Sequence, residues 1–159
     1  MDDKILREHL RKLLSKSEAH VDWADAVKGF PQRLRGEKPA GAPHSAWELL
    51  EHTRIAQSDI LEFCRNPKHV SPEWPSGYWP ERPQPKNAAE WDRSVRALRR
   101  DLGSMVKLVT NSRIYLAKPI RKGGKETILR EALLVADHNS YHLGQFVELR
   151  KMLGCWPET

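Results

Sequence analysis

Apolar side chains recur every three or four positions along four separate stretches of the chain, and this spacing is typical of amphipathic helices. The pattern predicts a short helix over 3–15 and longer helices over 45–65, 87–111 and 127–153. No stretch alternates apolar and polar positions strongly enough to predict a strand. We therefore expect an all-α bundle that forms a single domain over 1–159.

Recognisable signals mark the ends of these helices. Ser45-Ala-Trp-Glu48 has the form of a capping box, and Asn87-Ala-Ala-Glu90 repeats that pattern. Asp22 is a candidate N-cap for a short helical piece over Trp23–Lys28. Gly154 stands where a left-handed residue would end the last helix. These signals make the helix boundaries specific predictions.

Two segments fall outside this bundle pattern. Residues 1–17 read as an N-terminal helical extension, and segment 67–87 contains six prolines together with Trp74, Tyr78 and Trp79. That many prolines exclude a regular helix, while the aromatic side chains favour an ordered loop over a disordered one. The loop could wall a pocket or simply hold itself against the bundle, and we favour the second role.

Composition and charge narrow the class of protein. Apolar residues make up 39% of the chain and charged residues 30%, which suits a globular protein. No apolar run approaches the length of a membrane span. The net charge is +6, but the basic residues are scattered, so we expect no specific nucleic-acid binding. Cys64 and Cys155 form no disulfide framework, and the first residues lack a secretory pattern, so we expect a cytoplasmic protein.

The strongest candidate chemistry is a pair of histidines four residues apart, His138 and His142, on the last predicted helix. Residues at this spacing share a helix face. The stripe that holds them consists of Leu134, His138, His142, Gln145 and Leu149. Its apolar ends predict that both imidazoles point into the bundle.

His52 is the candidate third ligand. Its own stripe consists of Glu48, Leu49, His52, Ile55, Ala56 and Asp59. Three imidazoles from two helices can occupy one face of a metal ion and leave its other positions to water, as in catalytic sites. The alternative is that each histidine is a hydrogen-bonded core residue. The remaining histidines, at positions 9, 20, 44 and 69, show no matching register.

Two motifs carry a family resemblance. Trp47-Glu-Leu-Leu-Glu-His52 and Asp137-His-Asn-Ser-Tyr-His-Leu-Gly-Gln145 resemble the DinB-like (YfiT-like) superfamily of damage-inducible four-helix bundles, over about 18–153. The resemblance implies an up-down-down-up bundle with a zinc, nickel or iron ion on His52, His138 and His142. It also implies a homodimer. Some members transfer low-molecular-weight thiols such as bacillithiol or mycothiol, and one branch is a thiol-dependent maleylpyruvate isomerase.

The functional prediction is a metal-dependent enzyme acting on a small molecule, such as a low-molecular-weight thiol, as an S-transferase or a hydrolase. Glu48 lies one turn before His52 and is a candidate general base. Asp59 and Gln145 are candidates to hydrogen-bond the ligands or the substrate. The alternative is a non-enzymatic, metal-stabilised bundle that acts as a stress-related interaction module, and no membrane partner is expected.

Overall fold

The computed structural model describes residues 2–15 and 18–157. Five α-helices occur in this part of the chain, and they are α1 (Asp3–Ser15), α2 (Trp23–Val27), α3 (Ala46–Arg65), α4 (Ala88–Thr110) and α5 (Ile128–Met152). No strand is present among the described residues, where one isolated antiparallel bridge joins Pro119 to Thr127. The predicted all-α class is confirmed. Residues 1, 16, 17, 158 and 159 of the predicted domain lie outside the described residues.

Side chains accept hydrogen bonds from the backbone N–H groups at the helix starts, largely where the capping signals predict. Ser45 and Glu48 form a reciprocal capping box at the start of α3. Asn87 accepts a hydrogen bond from the backbone of Glu90 at the start of α4. The Glu90 carboxylate, however, binds Lys86 and Arg82 rather than closing a second capping box. These caps pair backbone N–H groups at the helix starts that have no partner within the helix, such as those of Glu48 and Glu90.

The four long helices, α1, α3, α4 and α5, form the bundle. Helix α3 packs against α4 and α5, and α1 also packs against α4 and α5. The N-terminal extension thus contributes a full bundle helix, although its residues 16 and 17 lie outside the described part. Arg7 fastens α1 by donating hydrogen bonds to the carbonyls of Val109, Asn111 and Ile114 at 2.9, 2.9 and 2.6 Å. These contacts satisfy carbonyls at and just beyond the carboxyl end of α4.

The core has an aromatic part and an aliphatic part. Phe146 is fully buried, and its ring centroid lies 5.2, 5.4 and 6.4 Å from those of Trp23, Phe30 and Trp91. The aliphatic part includes Leu10, Leu14, Leu61, Met105, Val109, Leu116, Ala132 and Val135. The edge and tilted contacts between the aromatic rings stabilise the core by more than their buried area alone would give. Burial of this apolar surface brings α3 and α5 into direct contact, which sets the distance between their polar side chains.

Two buried amide side chains, one on α3 and one on α5, are hydrogen-bonded between the aromatic and the aliphatic parts of the core. Asn139 donates to the Gln57 side chain at 2.7 Å, and Gln57 donates to the Leu98 carbonyl at 2.7 Å. Because unpaired amides are costly in a core, this chain of hydrogen bonds favours a single register of α5 against α3 and α4. Among the described helices, none is long and apolar enough to cross a membrane.

Candidate metal centre

Three histidine side chains converge between α3 and α5. The Nε2 atom of His52 lies 3.1 Å from the Nε2 atoms of both His138 and His142. The ligand atoms of the three residues all lie within 4.8 Å of one another. Nitrogens that share one ion at about 2.1 Å are roughly 3.0–3.4 Å apart in octahedral or tetrahedral geometry. The spacing of the three nitrogens therefore fits a single transition-metal ion.

Neighbouring carbonyl groups determine which ring nitrogen carries the proton in two of the histidines. The Nδ1 atom of His52 donates to the backbone carbonyl of Tyr78 at 2.9 Å, and Nδ1 of His142 donates to Oε1 of Gln145 at 2.9 Å. In a neutral imidazole the other nitrogen, Nε2, is then an unprotonated acceptor. Two lone pairs consequently face each other across 3.1 Å, an arrangement that a shared cation would stabilise.

The third imidazole has no equivalent support. Nδ1 of His138 is buried without a hydrogen-bond partner, as is Oδ1 of the adjacent Asn139. His52 and His142 are buried and His138 is half-buried. Hydrogen bonds at Nδ1 thus hold two of the ligands in orientation, whereas Nδ1 of the third has no such bond.

The pKa values of the three imidazoles are low in the absence of metal. Burial, followed by the charges of His142 and His52, lowers the pKa of His138 to about 4. Burial also lowers the pKa of His52 and His142, although the bonds to Tyr78 and Gln145 oppose the shift. All three side chains are therefore neutral at pH 7, which is the protonation state that metal ligation requires.

The 67–87 segment forms one wall of the site. The Trp79 ring is stacked between His52 and His44, with centroid distances of 3.9 and 4.1 Å and interplanar angles of 5° and 19°. Trp74, in contrast, is 73% exposed and contacts Tyr78. Trp79 therefore covers one face of a candidate ligand, and the choice between the two roles of this loop stays a prediction.

Hydrogen bonds to Asp59 on α3 hold this loop in place. The Tyr78 hydroxyl donates to one Asp59 oxygen at 2.7 Å and Nε2 of His69 donates to the other at 2.6 Å. Burial and the bond to Asp59 raise the pKa of Tyr78 to about 12, so its hydroxyl stays protonated. Asp59 therefore positions the Tyr78 segment whose carbonyl orients His52.

The chain matches a known protein family over most of its length. A family model described as the DinB superfamily matches residues 17–146, which is most of the chain. The chain belongs to the DinB superfamily. No curated protein and no solved structure matches it. The matched segment includes all three candidate ligands and begins after α1, in keeping with the sequence resemblance.

Glu48, the candidate base, is held at the start of α3 by contacts of its own. Its Oε2 accepts from the Ser45 backbone at 2.7 Å, and the Lys38 ammonium lies 2.7–2.9 Å from the two carboxylate oxygens. Burial raises the pKa of Glu48, but the hydrogen bonds from Lys38 and Ser45 outweigh it and lower the pKa overall. The carboxylate is ionised as a base must be, yet Lys38 has to move before it can accept a proton.

His44 is a residue of this DinB-superfamily site that the sequence pattern missed. It precedes the capping box and shares no helix register with the triad, yet it stacks on Trp79. Its pKa is lowered by burial, which the charge of Glu48 partly opposes. The signal that could have found it was a histidine directly before a strong N-cap, because such a residue lies beside the first turn of the helix.

Two cavities take residues from α5, and they lie on different faces of that helix. A cavity of about 200 Å³ is lined by His44 and Gln145 but by none of the three candidate ligands. A much larger one, about 720 Å³, takes Ala136, Asn139 and Leu143 from α5. These positions lie on a different face of α5 from His138 and His142. Gln145 connects the small cavity to the triad, because it lines the cavity and accepts a hydrogen bond from Nδ1 of His142.

Proposed function

We propose that this protein is a metal-dependent enzyme that acts on a small molecule, as a thiol S-transferase or a hydrolase. The observation that carries the proposal is the convergence of three neutral imidazoles through Nε2, with two of their Nδ1 atoms already bound to carbonyl oxygens. His52, His138 and His142 would hold the ion, and its identity as zinc, nickel or iron stays open.

The number of ligands supports catalysis over a purely structural ion. Within residues 2–15 and 18–157, no other His, Cys, Asp or Glu joins the group. Structural zinc sites have four protein ligands, whereas catalytic sites have three and leave a position to water or substrate. A divalent ion held in this way lowers the pKa of bound water and also binds soft thiolates. Both properties are compatible with the two proposed reaction types.

Side chains around the triad would supply the remaining functions. Trp79 excludes water from one face of His52, and Gln145 keeps the His142 lone pair directed at the ligand cluster. Glu48 is our candidate base, released from Lys38 when substrate binds. Cys64 would not supply the reacting thiolate, because burial raises its pKa to about 12 and keeps it protonated.

A non-enzymatic role is the second candidate, and one observation favours it. The triad joins α3 to α5, and the Tyr78 carbonyl ties the 67–87 segment to His52. An ion at this position would therefore fasten three separate parts of the chain. In this case the protein would be a metal-stabilised bundle that serves as a stress-related interaction module.

The deciding experiment combines metal analysis with turnover. We expect about one divalent ion per chain in tag-free protein, and thiol-dependent turnover of an electrophilic substrate, or hydrolysis of an ester, that chelation abolishes and metal restores. Glu48→Gln should lower turnover and leave the metal content unchanged. A fully metal-loaded protein with no such turnover, but with a melting temperature tens of degrees lower after chelation, would replace the enzyme with the structural role.

We also propose that the protein forms a homodimer through α5. Leu133, Tyr141 and Met152 are 47%, 65% and 53% exposed, and these apolar side chains lie on one helix in the described chain. A second copy packed along α5 would cover these side chains. Analytical ultracentrifugation should show a dimer that Tyr141→Glu converts to a monomer, and a wild-type monomer at high concentration would contradict it.

A further inference from the structure

We propose that the 720 Å³ cavity is a second ligand site, which binds a small amphipathic carboxylate with its head at Arg35 and its apolar body between α4 and α5. Its position on a separate face of α5 distinguishes it from the histidine triad. Pockets for small molecules commonly enclose about 300–1,000 Å³, so this one has an ordinary size for a ligand.

The walls of the cavity fit an apolar body. Its apolar lining includes Trp23, Phe30, Trp91, Leu98, Leu102 and Leu143. These side chains come from α2, the segment after it, α4 and α5. A chain or ring of a ligand in contact with these side chains would lose exposure to water, which is the main source of affinity for apolar groups.

Arg35 fits the head of such a ligand. Its guanidinium carbon lies 4.6 Å from the centroid of the Trp91 ring, and its Nε and Nη1 atoms are buried without hydrogen-bond partners. An arginine side chain stays charged, and buried donors are normally paired, so this group lacks an acceptor. Burial lowers the pKa of Arg35, and only the charge of Asp92 opposes that effect. A carboxylate beside the guanidinium would balance its charge.

Other charged groups around the cavity lie at its mouth. Lys28, Asp92 and Arg99 line it and are exposed, and Asp22 also lines it while capping α2. With Arg35 the lining carries three basic and two acidic side chains, a small positive excess. This balance favours a ligand with one negative charge over a dianion or a cation.

Two substitutions separate recognition of the head from recognition of the body. Arg35→Gln removes the charge, and it breaks no side-chain hydrogen bond at Nε or Nη1 because these atoms make none. Gly103 lines the cavity on α4, and a Cβ placed there meets no atom within 4 Å. Gly103→Phe therefore places a ring at the cavity without a clash at its Cβ. Arg96→Gln is the matched control, because Arg96 is exposed on α4 outside the lining.

The test is calorimetric titration of the full chain with decanoate and, as an uncharged analogue, decan-1-ol. We expect Arg35→Gln to weaken decanoate binding about tenfold or more, as for loss of a charged hydrogen bond, and to leave decan-1-ol within about twofold. Gly103→Phe should weaken both ligands, and Arg96→Gln neither. Thermal melting of each variant establishes that it is folded.

Three results would overturn the proposal. The first is equal decanoate affinity in Arg35→Gln and Arg96→Gln. The second is loss of decanoate binding in His138→Ala with retention in Gly103→Phe, which would put the ligand at the triad. The third is no decanoate binding by the wild type, including the case in which a second copy covers the cavity. Because the readout is binding rather than turnover, the outcome does not depend on the proposed enzymatic activity.

Discussion

The histidine triad and the Arg35 cavity lie on different faces of α5. The triad lacks a positive charge and the cavity lacks a negative one. At the triad, two imidazole lone pairs face each other 3.1 Å apart, so a positive charge would complete the arrangement. At the cavity, two guanidinium donors are buried without an acceptor, so a negative charge would complete it. One helix therefore separates a site suited to a cation from a site suited to an anion.

The two regions also differ in how firmly their polar groups are held. Tyr78 and Gln145 fix the orientation of two imidazoles, and Trp79 covers one of them. Arg35 has a ring to stack on but no hydrogen bond at Nε or Nη1. Preorganised ligands select for coordination geometry, whereas a lone guanidinium in an apolar cavity selects for charge and shape. We therefore expect the triad to discriminate between ions more sharply than the cavity discriminates between carboxylates.

The largest effect should come from removing a ligand. His142→Ala is expected to abolish stoichiometric metal binding, because two imidazoles on different helices hold an ion far less well than three. Competition with a chromophoric chelator measures the change. Arg35→Gln serves as the comparison, and it should bind metal as the wild type does because the two regions are separate. A metal affinity of His142→Ala within tenfold of the wild type would mean that His142 is not a ligand.

A smaller loss of metal affinity should follow when the hydrogen-bond partner of a ligand is removed. Gln145→Leu takes away the acceptor for Nδ1 of His142, and loss of such a partner weakens metal binding by about 10–100-fold. Gln145→Glu keeps an acceptor at this position and should restore most of the affinity. Equal affinities for the leucine and glutamate variants would show that the hydrogen bond does not orient the ligand.

Acidification should destabilise the metal-free protein. The folded protein takes up a proton at His138 only near pH 4, whereas the unfolded chain does so near the ordinary histidine value of about 6.5. The unfolded state thus binds more protons between these values, and stability falls as the pH drops from about 6.5 towards 4. Urea unfolding in the presence of chelator measures the slope. His138→Gln should flatten it, and an unchanged slope would contradict the low pKa.

The smallest effect concerns Arg35 and stability. Arg35→Met replaces a half-buried guanidinium, whose Nε and Nη1 atoms lack acceptors, with an apolar side chain, at the loss of a cation–π contact worth about 0.5–1 kcal/mol. We expect the variant to be as stable as the wild type or more stable by about 1 kcal/mol in chemical unfolding. Arg7→Met is the contrast, because Arg7 donates to three carbonyls and its loss should clearly destabilise the fold. A large loss of stability in Arg35→Met would assign Arg35 a structural role.

Local sequence signals predicted the helices and the helix faces of the candidate ligands. Three of these signals involve only residues that are close together in the chain. They are the capping box at Ser45, the four-residue spacing of His138 and His142, and the glycine after α5. Gly154 indeed has a φ of +63°. Short-range features of this kind depend little on the rest of the fold, so the pattern of residues was enough to predict them.

Only the tertiary structure decided which distant groups meet. The Tyr78 carbonyl reaches His52 across 26 positions, and Trp79 inserts between two histidines that share no register. The burial of Arg35 against Trp91 likewise left no mark in the local pattern. Such contacts depend on how a proline-rich loop and separate helices pack, and packing is determined by the shape of the whole core. The sequence alone therefore determined the helices and the candidate ligands, and the packing determined the surroundings that select an ion or an anion.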